Sequence, residues 1–180
     1  MWPLVRTMAA HQQSVLSMFA AAKIHAETKS DFYVELAEQA RSLVHGERNR
    51  IANAANFAAL VFHALDDVNW AGFYFYDGTE LVVGPFQGQP ACIRIALGKG
   101  VCGTAAATRT TQVVADVAAF SGHIPCDSAS RSEIVVPLYL GDNLIGVWDV
   151  DSPHTERFDE DDRVGMERLA SIYLDSLSQA

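Results

Sequence analysis

Between residues 65 and 69 the hydrophobic pattern of this chain changes period, and that change limits the folds open to it. Upstream, apolar residues recur near helical spacing. Phe32, Leu36, Ala37, Ala40, Leu43 and Val44 do so in DFYVELAEQARSLV, and Ile51, Ala55, Ala58, Ala59 and Phe62 form a stripe in the run 47–65 beyond Gly46. Downstream, strict alternation takes over. NWAGFYFY, the turn Asp77-Gly78-Thr79 and ELVVGPFQG read as a β-hairpin. Alternation puts Trp70, Gly72, Tyr74 and Tyr76 on one face, and Ala71, Phe73 and Phe75 on the other. A strand over 92–97, the turn glycines Gly98, Gly100 and Gly103, a short helix in GVCGTAAATRT and a small strand over 112–115 come next. A polar loop leads to a second hairpin, 134–140 with 143–150. A final helix begins near Phe158-Asp159 and carries Val164, Met166, Leu169, Ile172, Tyr173 and Leu177. This order implies an α+β fold: a central antiparallel sheet with the N- and C-terminal helices on one face.

With 180 residues, 49% of them hydrophobic, the body from 29 to 180 has enough apolar material for one core. No run is long and apolar enough to cross a bilayer, so no membrane partner is expected. A net charge of -9 without Lys/Arg clusters argues against nucleic acid. Three cysteines do not make a secreted disulfide framework, which points to a reducing compartment such as the cytoplasm. Residues 1–28 stand apart as an N-terminal extension. They hold no acid before Glu27, as in a mitochondrial targeting segment, but only Arg6 and Lys23 as basic residues, which makes that cue weak and leaves targeting as the alternative reading. VLSMFAAAKIHA reads better as a helix packed on the body or on a second copy, which accommodates a homodimer.

The chemistry-bearing residues converge on the second hairpin. By alternation Ile145, Val147, Asp149 and Asp151 share a face, opposite Leu144, Gly146, Trp148 and Val150. Two carboxylates rising from an Ile/Val row need solvent, a cation or a proton. Cys126 lies upstream among Asp127, Ser128, Ser130 and Arg131, with Glu133 seven residues on. A neighbouring guanidinium and hydroxyl donors favour a reactive thiolate, while a small buried thiol is the inert alternative, and local sequence leaves the two balanced. Cys92 opens a strand and Cys102 lies in an alanine-rich turn, so either could supply a second thiol. His123 precedes Cys126 by three residues, but zinc needs paired ligands and none are spaced for it. It reads as a loop residue, and no metal is expected. GKGVCG matches neither a dinucleotide fingerprint nor a Walker loop.

Taken together, ERNRIANAANFAAL, NWAGFY, GPFQGQPACIRI, GKGVCGTAAAT, CDSASRSEIVVPL and LIGVWDVDSP resemble the free methionine-(R)-sulfoxide reductases, a catalytic branch of the GAF-domain fold. The resemblance runs from Asp31 to Leu177, and Trp148 departs from it where an aliphatic residue is expected. It implies reduction of free L-methionine (R)-S-oxide, with Cys126 as nucleophile and Glu133, Asp149 and Asp151 as the acid group. It also implies a disulfide between Cys92 and Cys126, with Cys102 the less favoured resolving thiol. Trp70 and Tyr74, otherwise ordinary core aromatics, become substrate-binding candidates, joined by Asp127 and Ser128 of the cysteine loop. No bound cofactor is implied; an external dithiol, most simply thioredoxin, would return the enzyme to its reduced form. The competing reading is a GAF module that binds a small ligand without catalysis.

Overall fold

A computed structural model describes residue 19 and residues 21–124 and 126–178. Helix α1 (Lys29–Leu43) starts where the Thr28 side chain accepts a hydrogen bond from the Asp31 amide. Helix α2 (Arg50–Ala64) is capped by Asn49, whose side chain accepts from the amides of Ile51 and Ala52. Strands β1 (Trp70–Tyr76), β2 (Glu80–Gly88) and β3 (Arg94–Ala96) follow, then helix α3 (Gly100–Thr108) and strand β4 (Gln112–Val114). A loop leads to β5 (Ser132–Leu140), β6 (Asn143–Ser152) and the terminal helix α4 (Glu160–Ser178). The six strands form one sheet in the order β3-β2-β1-β6-β5-β4, with every neighbouring pair antiparallel.

The sheet separates two apolar layers. Ala71, Phe73, Phe75, Ile134, Val136, Trp148 and Val150 face α1, α2 and α4, where Leu36, Phe57, Met166, Leu169 and Tyr173 complete the main core. Trp70, Tyr74, Leu81, Ile95, Val135 and Val147 face the other way, toward α3. The N- and C-terminal helices thus share one face, and α3 alone covers part of the opposite one. Trp148 fits its place: its indole packs 4.6 Å from the Phe73 ring and its Nε1 donates to Met166 Sδ at 3.4 Å.

Several sequence expectations shift. In α2 the buried side is Asn53, Ala54, Phe57, Ala58, Leu60 and Val61, while Ile51 and Ala55 face solvent. The helix is apolar nearly all round, so spacing alone could not orient it. Asn53 is tolerated inside because its amide donates to Glu47 O and Ser176 Oγ. Val164 is exposed on α4. In β6 the pairing slips between Leu138 and Tyr139, and Gly146 adopts a φ of 157°. Across this bulge the alternation inverts: Leu144 packs with the α3-side cluster and Ile145 with the helical core, the reverse of a regular strand. Val147, Asp149 and Asp151 keep the α3-side face.

The described part of the N-terminal extension, residue 19 and residues 21–28, forms no helix before α1. Instead Ala22 exchanges two hydrogen bonds with the Gln39 side chain, and Phe19 and Ile24 pack on the core. The remainder of the expected VLSMFAAAKIHA helix, with the rest of the extension, lies outside the described residues.

Candidate active site

The α3 side of the sheet carries a small cavity, and its floor is set by register. In β1 and β6, Trp70 pairs with Asp151, Gly72 with Asp149 and Tyr74 with Val147. In β5, Glu133 pairs with Asp151 and Val135 with Asp149. All three acids therefore rise from one face of neighbouring strands, beside Trp70 and Tyr74. Gly72 makes room for the aromatic wall, since a Cβ there would lie 2.6 Å from the Trp70 ring. Trp70 stacks on Tyr74 and on Phe86, with centroids 5.7 and 5.3 Å away, and its Nε1 donates to Gln89 O.

Helix α3 forms the opposite wall. Gly103 is not a turn glycine: a Cβ there would sit 2.3 Å from Ala96 O, so its hydrogen lets α3 lie directly on β3. That approach drives Cys102 onto the acids. Its thiol lies 3.3 Å from Asp149 Oδ2 and 3.8 Å from Glu133 Oε1.

These groups are buried, and burial disfavours their charged forms. Desolvation raises the pKa of Asp149 to about 7, held down there by hydrogen bonds from Cys102 and Glu133. Glu133 is pushed well above the carboxylate range by burial and then by the Asp149 charge. Asp151 is raised for the same two reasons, in the same order. Burial and the neighbouring carboxylates likewise raise the Cys102 thiol. The arrangement is one proton-sharing cluster: Asp149 takes the negative charge first, while Glu133, Asp151 and Cys102 hold protons. Asp149 Oδ1 is buried and has no hydrogen-bond partner among the described residues. Cys102 Sγ and oxygens of Glu133 and Asp149 lie within 4.8 Å of one another, close enough to ligate a metal, but their shared protons already account for the approach. His123 lines the cavity without joining that trio.

Cys126 closes the cavity from the 121–131 loop and is disulfide-bonded to Cys92, with Cα atoms 5.2 Å apart. Cys102 is free. Arg131 does not serve Cys126 as the sequence suggested; its guanidinium reaches toward Asp116, 4.0 Å away. Asp127 lines the cavity and accepts from Asn69 Nδ2 at 3.0 Å. Ser128 is exposed and does not line it, whereas Ser130 does, accepting from the same Asn69 amide at 3.1 Å. Asn69, Ala91, Ile95, Val101 and Ile124 were not singled out by sequence reasoning, and Ser130 was noted only as a hydroxyl near Cys126. Only Asn69, beside Trp70, and Ser130, one of three serines in CDSASRSE, carried any signal there.

Comparison with known proteins follows this geometry. Residues 52–175 match the family model of the GAF domain. The free methionine-R-sulfoxide reductase of Escherichia coli is 47% identical over 143 residues, covering 79% of this chain and 87% of that protein. The enzyme of the same name from Saccharomyces cerevisiae is 43% identical, covering 80% of this chain and 84% of its own. A solved structure of free methionine-R-sulfoxide reductase from Neisseria meningitidis, in complex with its substrate, superposes with a TM-score of 0.85 at 45% identity. It spans 89% of this chain and 96% of that one.

Proposed function

Since the chain belongs to the GAF-domain family and, within it, to the free methionine-(R)-sulfoxide reductases, we propose that its cavity carries out their reaction with the residues described above. The enzyme is an oxidoreductase that reduces free L-methionine (R)-S-oxide to L-methionine. The observation that carries the reading is the Cys92–Cys126 disulfide at the edge of a cavity floored by three buried acids. A non-catalytic ligand-binding module needs neither, and that alternative is not favoured.

In the reduced enzyme Cys126 attacks the sulfoxide sulfur while Glu133 or Asp151 supplies the proton that the oxygen needs. The oxygen then passes to Cys126 Sγ as its bond to the substrate sulfur and the transient sulfur–sulfur bond both break, so methionine leaves and Cys126 is left as a sulfenic acid. Cys92 Sγ then displaces that oxygen as water and forms the disulfide. Two electrons and two protons from an external dithiol, thioredoxin in this reading, restore both thiols. Cys102 takes no part in this exchange and serves the acid cluster.

The cavity also suggests why the free amino acid is chosen. Its acidic lining consists of Asp127, Glu133, Asp149 and Asp151, with Asp149 ionising first in the buried cluster and no lysine or arginine. An ammonium group complements that lining and the unpartnered Asp149 oxygen, and a peptide-borne residue lacks it. In the disulfide form the free volume is only about 30 Å³, room for roughly two waters. Substrate therefore enters after the disulfide opens. Trp70 and Tyr74 flank the thioether methyl, and Asp127 with Ser130 borders the entrance.

Thioredoxin, a homodimer and a reducing compartment such as the cytoplasm belong to the same proposal. They are supported by the Cys92–Cys126 disulfide at the cavity, the apolar N-terminal extension and the low cysteine count. The test is a thioredoxin-coupled NADPH assay with both epimers of free methionine sulfoxide and with a blocked peptide sulfoxide. Turnover of the free R epimer alone is expected. Comparable turnover of the peptide would overturn the enclosed-site argument.

A further inference from the structure

Among the described residues the exposed large hydrophobic side chains are few, and three of them cluster in sequence about the site: Ile93 beside Cys92, Ile124 two residues before Cys126, and Leu97 between β3 and α3. Ile93 directly follows Cys92 and, at 70% exposed, is the most exposed of all. Ile95 turns inward to line the cavity, while Ile93 and Leu97 lie just outside the two ends of β3, off the strand's alternation, and are exposed. Ile124 covers the start of α3, its Cδ1 and Cγ1 lying 3.3 Å from where a Gly100 Cβ would be, and it borders the same cavity. β3 is the outermost strand on that side of the sheet. The segment 90–101 contains no acid in a chain of net charge -9.

We propose that this apolar collar, Ile93, Leu97 and Ile124, is the docking surface for a thioredoxin-type dithiol protein that attacks Cys92 Sγ. The proposal rests on the reductase reading above, which makes the disulfide an intermediate that an outside dithiol must open in every cycle. An apolar rim next to the bond gives a protein reductant an advantage over a small thiol, because it adds buried area at the reacting sulfur. The attacked atom follows from placement. Both cysteines are half-buried, but Cys126 lines the cavity whereas Cys92 lies outside that lining and adjoins Ile93. The reductant thiolate bonds to Cys92 Sγ as the Cys92–Cys126 bond breaks, releasing Cys126 as the thiolate. The second thiol of the reductant then attacks its own sulfur in the mixed disulfide and expels Cys92. The reductant ends as a disulfide, and both enzyme cysteines are reduced.

The test compares the full-length protein with the double variant Ile93→Ser/Leu97→Ser, neither residue lining the cavity. A bacterial thioredoxin and dithiothreitol serve as alternative reductants. The variant should release methionine in a single turnover as the parent does and turn over normally with dithiothreitol. Its KM for thioredoxin should rise roughly tenfold or more. A thioredoxin whose second active cysteine is replaced by serine should be trapped on Cys92, as read by peptide mapping of the oxidised parent protein. An unchanged thioredoxin KM, or trapping on Cys126, overturns the proposal. So does a parallel loss of dithiothreitol-driven turnover, which would place the collar inside the substrate site. A changed sedimentation coefficient in the variant would make the collar a contact between copies, and also overturns it. Failure of the parent to release methionine in the single turnover instead sinks the underlying reductase reading.

Discussion

Replacing Asp149 with asparagine should make the oxidised protein more stable at pH 8 and slower as an enzyme when reduced. Burial raises this carboxyl from 3.8 to about 7. The sign follows from proton counting: between those values the folded state holds a proton that the unfolded state has lost. Stability therefore falls as pH rises from about 4 to about 7, and the whole penalty is present above the folded-state value. Roughly three pKa units at about 1.4 kcal/mol each give an upper figure near 4 kcal/mol. That figure is already net of the Cys102 and Glu133 hydrogen bonds that hold the value down, and as an upper bound it puts the gain at about 2–4 kcal/mol. For a chain of this size the gain corresponds to a Tm rise of roughly 5–10 °C at pH 8. Near pH 4.5, where the parent carboxyl is protonated, the gain should largely vanish. Thermal unfolding of the disulfide form of both proteins at the two pH values measures this directly. The same substitution should slow single-turnover methionine release, because it removes the charge that keeps protons on Glu133 and Asp151 and the partner for the substrate ammonium. A variant no more stable than the parent at pH 8 would show that Asp149 ionises at no cost, and the proton-sharing cluster would be refuted.

The other acids and the thiols give sharper functional contrasts. Glu133→Gln and Asp151→Asn should lower the single-turnover rate while Cys126 still reacts normally with a small alkylating agent; unaltered release in both would make these carboxyls structural. With all groups intact, that rate should fall as pH rises through the elevated pKa values of Glu133 and Asp151, because each must hold its proton to give it. A rate that only climbs with pH would point to water or Cys126 as the proton source. Cys92→Ser should release about one equivalent of methionine and stall at the sulfenic acid, readable with a sulfenic-acid trap, whereas Cys102→Ser should complete the disulfide. Gly103→Ala should cost about 1–3 kcal/mol and lower activity, since the added methyl meets Ala96 O at 2.3 Å and pushes α3 off the acids; denaturant unfolding checks the first part.

The sheet was legible in the sequence because alternation reports burial on two faces. From Trp70 to Tyr76 each residue lies on the side its parity requires, with Trp70 and Tyr74 toward α3 and Phe73 and Phe75 toward the helices. Parity failed at Leu144 and Ile145, since the bulge before Gly146 inserts a residue that no hydrophobic pattern announces. Helix α2 was misoriented because alanines on every side leave its apolar direction undefined. Within the site, the shared face of Asp149 and Asp151 was readable, but the closeness of Cys102 to them depends on α3 lying on β3. Spacing could not choose between Cys92 and Cys102, nor between Ser128 and Ser130. Those choices are made where β3, α3 and the 121–131 loop converge, through contacts distant in sequence.

The central claim is that Cys126 takes the sulfoxide oxygen and Cys92 resolves it above the buried acids. Fully reduced enzyme should be mixed with excess free L-methionine (R)-S-oxide without reductant, followed by methionine quantitation and disulfide mapping. About one methionine per chain, with two thiols lost and a single Cys92–Cys126 bond formed, is the predicted outcome. Release that survives Cys126→Ser, or a bond that forms through Cys102, would contradict it.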